Sequence, residues 1–370
     1  MKITNKKLFV VCLAALMAGC STANLAAVPQ NRDSYNRALD ASENEQFLLS
    51  VVRMHYAEMP YFVSVDSITA TTTLRMGVRG NFGPNNPFMG WSKQPAANAV
   101  SWSVAPDIGF TQSPTITYSP NQGAKFATGM LAPLTMGKIF LLTQSGYSPS
   151  EVMKLTMNRV GSLLNGGISS DHSGSKQLPD TTAFDNHIAL LDKLGAKNQI
   201  KIDYASYESS GAIYMSFTNP EAAASVAKSL GLSKSYKQLI FSNLLPDSIH
   251  PENVISVYPR SYFNIVNFLS RNVDTPQSSS GSSESDNYAA TLVDSSVDWR
   301  PYSKNLLHVL TSTSEPSSKA VAKTEYNDNW YYIADNDQVS KSTLVILKLI
   351  YSLQMGEVDA NLPIITIQVN

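Results

Sequence analysis

A chain of 370 residues, 43% hydrophobic and only 15% charged, is long enough to bury a sizeable core and too apolar for a disordered chain. Its 28 basic and 29 acidic residues nearly cancel, so the clustered basic excess that nucleic-acid binding calls for is missing. Beyond Cys20 no apolar run is long enough to span a bilayer, and no membrane-spanning helix is expected.

The segment from Met1 to Cys20 has three physical parts. Lys2, Lys6 and Lys7 form a positive head, and Leu8 to Met17 form an apolar stretch of about ten residues, too short to cross a bilayer. Leu16-Met17-Ala18-Gly19-Cys20 resembles the bacterial lipobox, with Met17 where leucine is usual. That resemblance implies a diacylglycerol on the Cys20 sulfur, cleavage before it, and a further acyl chain on the freed amine; the alternative is an ordinary secretory signal ending at Ala18 and Gly19, with the cysteine incidental. Cys12 would leave with the signal peptide, so the mature chain has one thiol, blocked by lipid, and no internal disulfide. The 28 basic residues less the three signal lysines leave 25 against 29 acidic, a net charge of −4. Two or more acyl chains anchor stably where one is marginal. Ser21 and Thr22 follow the cysteine in place of the aspartate that retains such proteins at the inner membrane in enteric bacteria. The expected location is the bacterial outer membrane.

Residues 21–34 lack a period and read as a flexible tether. From Tyr35 the spacing of Leu39, Phe47, Val51 and His55 predicts a helix ended by Pro60. Residues 61–74 alternate and are rich in Val, Ile and Thr, which predicts a strand. Between Gly77 and Asn98, four glycines and three prolines predict a long loop. It carries Phe82, Phe88 and Trp91, aromatics that either pin the loop to the body or form an interaction surface. Short strands follow near 99–104 and 115–118, then two helical pieces broken at Pro133, and a helix turning into a strand over 149–164. The polar stretch 166–179 reads as a boundary between an N-terminal lobe, 35–165, and a C-terminal lobe, 180–370. The second lobe opens with a helix over 181–194 and strands over 199–206 and 211–217. Asn219-Pro220-Glu221 marks a capped helix start. A strand at 253–258 and a helix at 260–272 precede a serine-rich stretch, 275–287, expected to be disordered. A hairpin of 305–313 with 319–326, a strand at 329–335, a buried helix over 338–355 and a terminal strand complete the chain. Helices and strands mix without regular βαβ alternation, so the expected class is α+β, with mostly antiparallel strands behind a lipidated N-terminus.

Chemistry is sparsely signalled. Ser-x-x-Lys, which can place an amine beside a nucleophilic hydroxyl, occurs at Ser173–Lys176 in a loop and at Ser225–Lys228 within a helix. Two occurrences in a serine-rich chain, with no companion motifs, are the chance expectation. His55, His172, His187, His250 and His308 are scattered without metal-ligand spacing. Asp335-Asn336-Asp337 resembles the start of a calcium loop but lacks its glycine and closing glutamate, and reads better as a helix start with Ser340. No catalytic residue, metal site or cofactor is expected.

The segment from Asn36 to Thr69 resembles the opening of a family of uncharacterised bacterial envelope lipoproteins, in which an R-x-x-Y helix end leads into a P-x-F-x-x-V-x-S-I strand. Here these are Arg53, Tyr56, Pro60, Phe62, Val65, Ser67 and Ile68. Weaker echoes lie in ITYSPNQGAKFATGMLAPLT, YPRSYFNIVNFLS and WYYIADNDQVSKSTLVILKLIYSLQ. The resemblance implies an outer-membrane lipoprotein and brings no catalytic residues; some such proteins are accessory parts of secretion machines. The expectation is a non-catalytic envelope protein, tied to the membrane by its lipid, that docks other envelope proteins. The alternatives are a binder of peptidoglycan or another ligand through Trp91, Trp102, Trp299 and Trp330, and a hydrolase with an unfamiliar site. Oligomeric state is open.

Overall fold

A computed structural model describes residues 23–83, 101–166, 180–207, 210–243, 251–274, 302–303, 306–316 and 319–356. Helices and mostly antiparallel sheets give the α+β class. The chain divides into two compact units, a ribbon of residues 61–121 and a body formed by the rest.

The body opens with α1, Ala23–His55, so the 21–34 stretch expected as a tether is helical from Ala23. Three short helices follow: α2, Ala124–Leu131; α3, Met136–Gln144; and α4, Pro149–Thr156. The break between α2 and α3 lies around Pro133, as the missing N–H dictates. Helix α4 starts with a full capping box: the Ser148 side chain accepts from Glu151 N, and Glu151 accepts from Ser148 N. It runs straight into β3, Met157–Val160, with β4 at Leu163–Leu164.

Helix α5, Thr182–Ala196, leads to β5, Ile200–Tyr207, and β6, Ser210–Phe217. Helix α6, Pro220–Ser229, begins where the sequence places it, with the Asn219 side chain accepting from Ala222 N at 2.7 Å. Asn219→Ala should therefore cost about 1 kcal/mol in a urea-unfolding measurement. Strand β7, Gln238–Ser242, is five residues long and has no counterpart in the sequence reading. Then come β8, Val254–Pro259, and α7, Tyr262–Ser270.

These strands form one six-stranded sheet in the order β4-β3-β8-β7-β6-β5, antiparallel except for the β7–β8 pair. It joins residues 157–164 to residues 200–259, so the lobes divided at 166–179 share a single sheet. Helix α1 packs against α7 and against a second sheet of β9, Leu310–Ser312, β10, Ala320–Tyr326, and β11, Asn329–Ala334. Its order is β10-β11-β9, which corrects the expected pairing of β9 with β10: β11 lies between them. The β10–β11 turn has Asn327 and Asp328 both at positive φ, the pair that a tight twisted hairpin needs.

Helix α8, Gln338–Met355, has the expected bounds. One side buries Leu344, Leu347 and Ile350, while Val345 and Leu349 are exposed, so it lines the core instead of crossing its centre. Lys348 on α8 reaches Asp40 at 3.0 Å and the Asn44 side-chain oxygen at 2.9 Å, tying the last helix to the first. The serine-rich stretch 275–287 and the terminal strand lie outside the described residues.

Candidate assembly surface

Among the described residues, several polar groups that could suggest chemistry are engaged in holding the body together. His55 Nδ1 donates to the Ser270 carbonyl at 2.9 Å, and burial lowers its pKa. His308 Nε2 lies 3.2 Å from Asp274. Asp337 caps α8, accepting from Ser340 N at 3.0 Å and from the Ser340 hydroxyl at 2.6 Å, while Asp335 pairs with Lys341 at 2.8 Å. Ser225 donates back to the Glu221 carbonyl on an exposed face of α6, where Lys228 is also exposed. Ser173, Lys176, His172 and His250 lie outside the described residues. Among the described residues no three metal-ligating side chains cluster.

Sequence reading missed Arg260, which is only 3% exposed. Its guanidinium donates to the carbonyls of Lys154 and Leu155, both at 2.9 Å, and of Asn165 at 2.5 Å, and lies 3.8 Å over the Phe268 ring. Burial, with Arg271 adding repulsion, pulls its pKa down to about 9, so it stays charged at neutral pH. Asn165 donates to the Lys154 and Met157 carbonyls at 2.8 and 2.7 Å. With the Arg260 backbone N–H, which donates to the Thr156 carbonyl at 2.6 Å, these two side chains satisfy the carbonyls that the C-terminal turn of α4 leaves free. The arrangement is structural.

The remaining feature is the ribbon. Strand β1, Phe62–Gly83, pairs antiparallel with β2, Ser101–Asn121, from Phe62↔Asn121 to Gly83↔Ser101. At 22 and 21 residues the strands far exceed the usual length of about five or six. They replace much of the expected 77–98 loop and merge the two short strands expected near 99–104 and 115–118. Phe82 stands in register with Trp102, whereas Phe88 and Trp91, like Cys20 and Trp299, lie outside the described residues. One bulge, at Asp66 between Val65 and Ser67, interrupts the register, and the Ser119 hydroxyl donates to the Asp66 carboxylate there. A bulge adds a residue to one strand and shifts its alternation by one.

Beyond that shift the ribbon is two-toned. Every second residue from Ile68 to Phe82 reads I-A-T-L-M-V-G-F, and their partners from Ile116 to Trp102 read I-P-Q-F-I-P-V-W. The intervening positions from Thr69 to Gly83 read T-T-T-R-G-R-N-G, against T-S-T-G-D-A-S-S. Strand alternation puts the first set on one face and the second on the other. Arg75, Arg79 and Asp107 all fall on the second. The apolar face is open to solvent at Val63, Ile116 and Tyr118, which are 42%, 40% and 59% exposed. Among the described residues no third strand joins either edge. No protein-family model, characterised protein or solved structure matches this chain.

Proposed function

We propose that this chain is a non-catalytic lipoprotein of the bacterial outer membrane that works by assembling with other envelope proteins. The observation that carries this reading is the ribbon: two unusually long strands, apolar on one face, with both outer edges unpaired by any described strand. An isolated two-stranded ribbon is marginal in water, and an open edge is a template for another chain. The lipobox around Cys20 and the resemblance of Arg53 to Ile68 to envelope lipoproteins support the location.

The test pairs metabolic labelling by a clickable fatty acid with crosslinking in intact cells. The wild-type chain is expected to carry the label, to fractionate with the outer membrane and to crosslink into larger species. Cys20→Ala is expected to lose the label. Absence of label from the wild-type chain, or recovery of monomer alone with several crosslinkers, overturns the reading.

A further inference from the structure

We propose that the β1–β2 ribbons of several copies of this chain pair edge to edge and close into a transmembrane β-barrel, with the apolar face toward lipid and the polar face lining a water-filled lumen. This rests on the reading above and names its partner as further copies of the same chain.

Four features of the ribbon point there. The first is charge segregation. From Ile68 to Phe82 and from Trp102 to Ile116 the apolar face has no charged residue, while the opposite face has Arg75, Arg79 and Asp107. A lysine or arginine on the lipid face of a barrel costs about 2–4 kcal/mol at mid-depth, and the same charge facing a lumen does not. The polar face is otherwise mostly Thr, Ser, Gly and Asn, small residues suited to a wet interior.

The second is length. The residues from Ile68 to Phe82 extend about 46 Å at the usual rise per residue, or about 35 Å along the membrane normal at a barrel tilt near 40°. That covers a hydrocarbon core of about 25–30 Å. No described helix is long and apolar enough to cross a membrane, which leaves the ribbon's capacity untouched.

The third is the position of the aromatics. Phe82 and Trp102 pair at one end of the apolar strip, and exposed Tyr118 stands beyond Ile116 at the other. Barrel strands carry such aromatic girdles at the two interfaces.

The fourth is the need for closure. Lipid offers no hydrogen bonds, so an open edge cannot enter it, and β-structure crosses membranes as closed barrels. The edge of β1 in one copy can pair with the edge of β2 in the next, a head-to-tail contact that closes as a ring. Pro106 and Pro114 share the apolar parity of β2 and have no N–H to give. Within a strand, proline belongs where its missing donor faces the outer edge. The seam forgoes those bonds, which also discourages premature pairing in water. A lipid anchor on every copy would gather the ribbons at one surface.

The experiment uses the full lipidated chain, purified in mild detergent and reconstituted into bilayers of phosphatidylethanolamine and phosphatidylglycerol. Single cysteines are placed in turn at each position from Thr71 to Val78, with Cys20 blocked by its lipid. Wild type should give stepwise conductance. A charged, membrane-impermeant thiol reagent should reduce it at Thr71→Cys, Thr73→Cys and Arg75→Cys, and leave Thr72→Cys, Leu74→Cys and Met76→Cys unchanged. Leu74→Lys should lower conductance by at least about tenfold, whereas Thr73→Lys, the same charge on the other face, should keep it open. A melting curve for each variant separates an insertion defect from a body that fails to fold. Absence of conductance from wild type, or equal reactivity at both parities, overturns the barrel. Crosslinking to other envelope proteins without conductance removes the barrel and leaves the proposed function standing. Absence of the fatty-acid label from the wild-type chain removes the lipid-anchored reading instead.

Discussion

Arg260→Met should lose about 2–4 kcal/mol of stability, a large share of what an ordinary fold has. The guanidinium is the shared donor for the carbonyls of Lys154, Leu155 and Asn165, and methionine fills its volume without donating to any of them. The Lys154 carbonyl keeps the Asn165 amide as a donor, so the loss falls on the Leu155 and Asn165 carbonyls, and each buried carbonyl left without a partner costs about 1–3 kcal/mol. The cation also sits at the negative end of α4, where positive charge is favoured. Arg260→Lys keeps the charge but loses the planar fork, so it should fall between wild type and Arg260→Met in urea unfolding. Equal stability of all three would show that the carbonyls find other donors.

Acid should weaken the body through His187. This side chain is fully buried, with Nδ1 2.8 Å from the Ser229 hydroxyl and Nε2 without a partner among the described residues. The Ser229 hydroxyl already donates to the Val226 carbonyl, so His187 Nδ1 carries the proton and Nε2 the lone pair. Protonating Nε2 would bury a charge with nothing to accept its hydrogen bond, and burial pulls the pKa from 6.5 down to about 4. The folded pKa lies below the unfolded one, so the unfolded chain binds more protons between those values. Stability is complete above pH 6.5 and is lost as pH falls toward 4. Between pH 7.5 and pH 5 the loss from this group is about 2 kcal/mol. His55, lowered in the same direction, adds to it. His187→Leu should flatten this part of the acid limb in unfolding curves recorded across that range; an unchanged slope would assign the dependence elsewhere.

Local chemistry was legible where a few neighbouring residues decide the outcome. Asn219-Pro220 starts a helix because the amide caps it and the proline needs no hydrogen bond there. Asp337 and Ser340 start α8 in the same way. The ribbon was half-legible. Its inner part alternates openly, but the Asp66 bulge shifts the phase, and Gly77, Gly80 and Gly83 read as breakers although a paired strand accommodates them. The signal lay in the alternation of Leu74, Met76, Val78 and Phe82, repeated on the return path by Trp102, Val104, Ile108 and Phe110. Arg260 gave no warning, because nothing in YPRSYF shows that three carbonyls from residues 154–165 converge on it. Strand neighbours such as β3 and β8 are fixed by packing between segments far apart in the chain, beyond the reach of any local pattern.

Among the described elements, helix α1 comes earliest in the chain and is completed last. Its apolar side, including Leu48 and Val52, is covered by α7 and by the small sheet containing β10, elements that begin only at Tyr262 and Ala320. During synthesis this helix thus has no partner element to fold against until most of the described chain has emerged. Such late closure leaves one apolar side of the helix uncovered through most of synthesis, the interval in which an incomplete chain is most prone to aggregate.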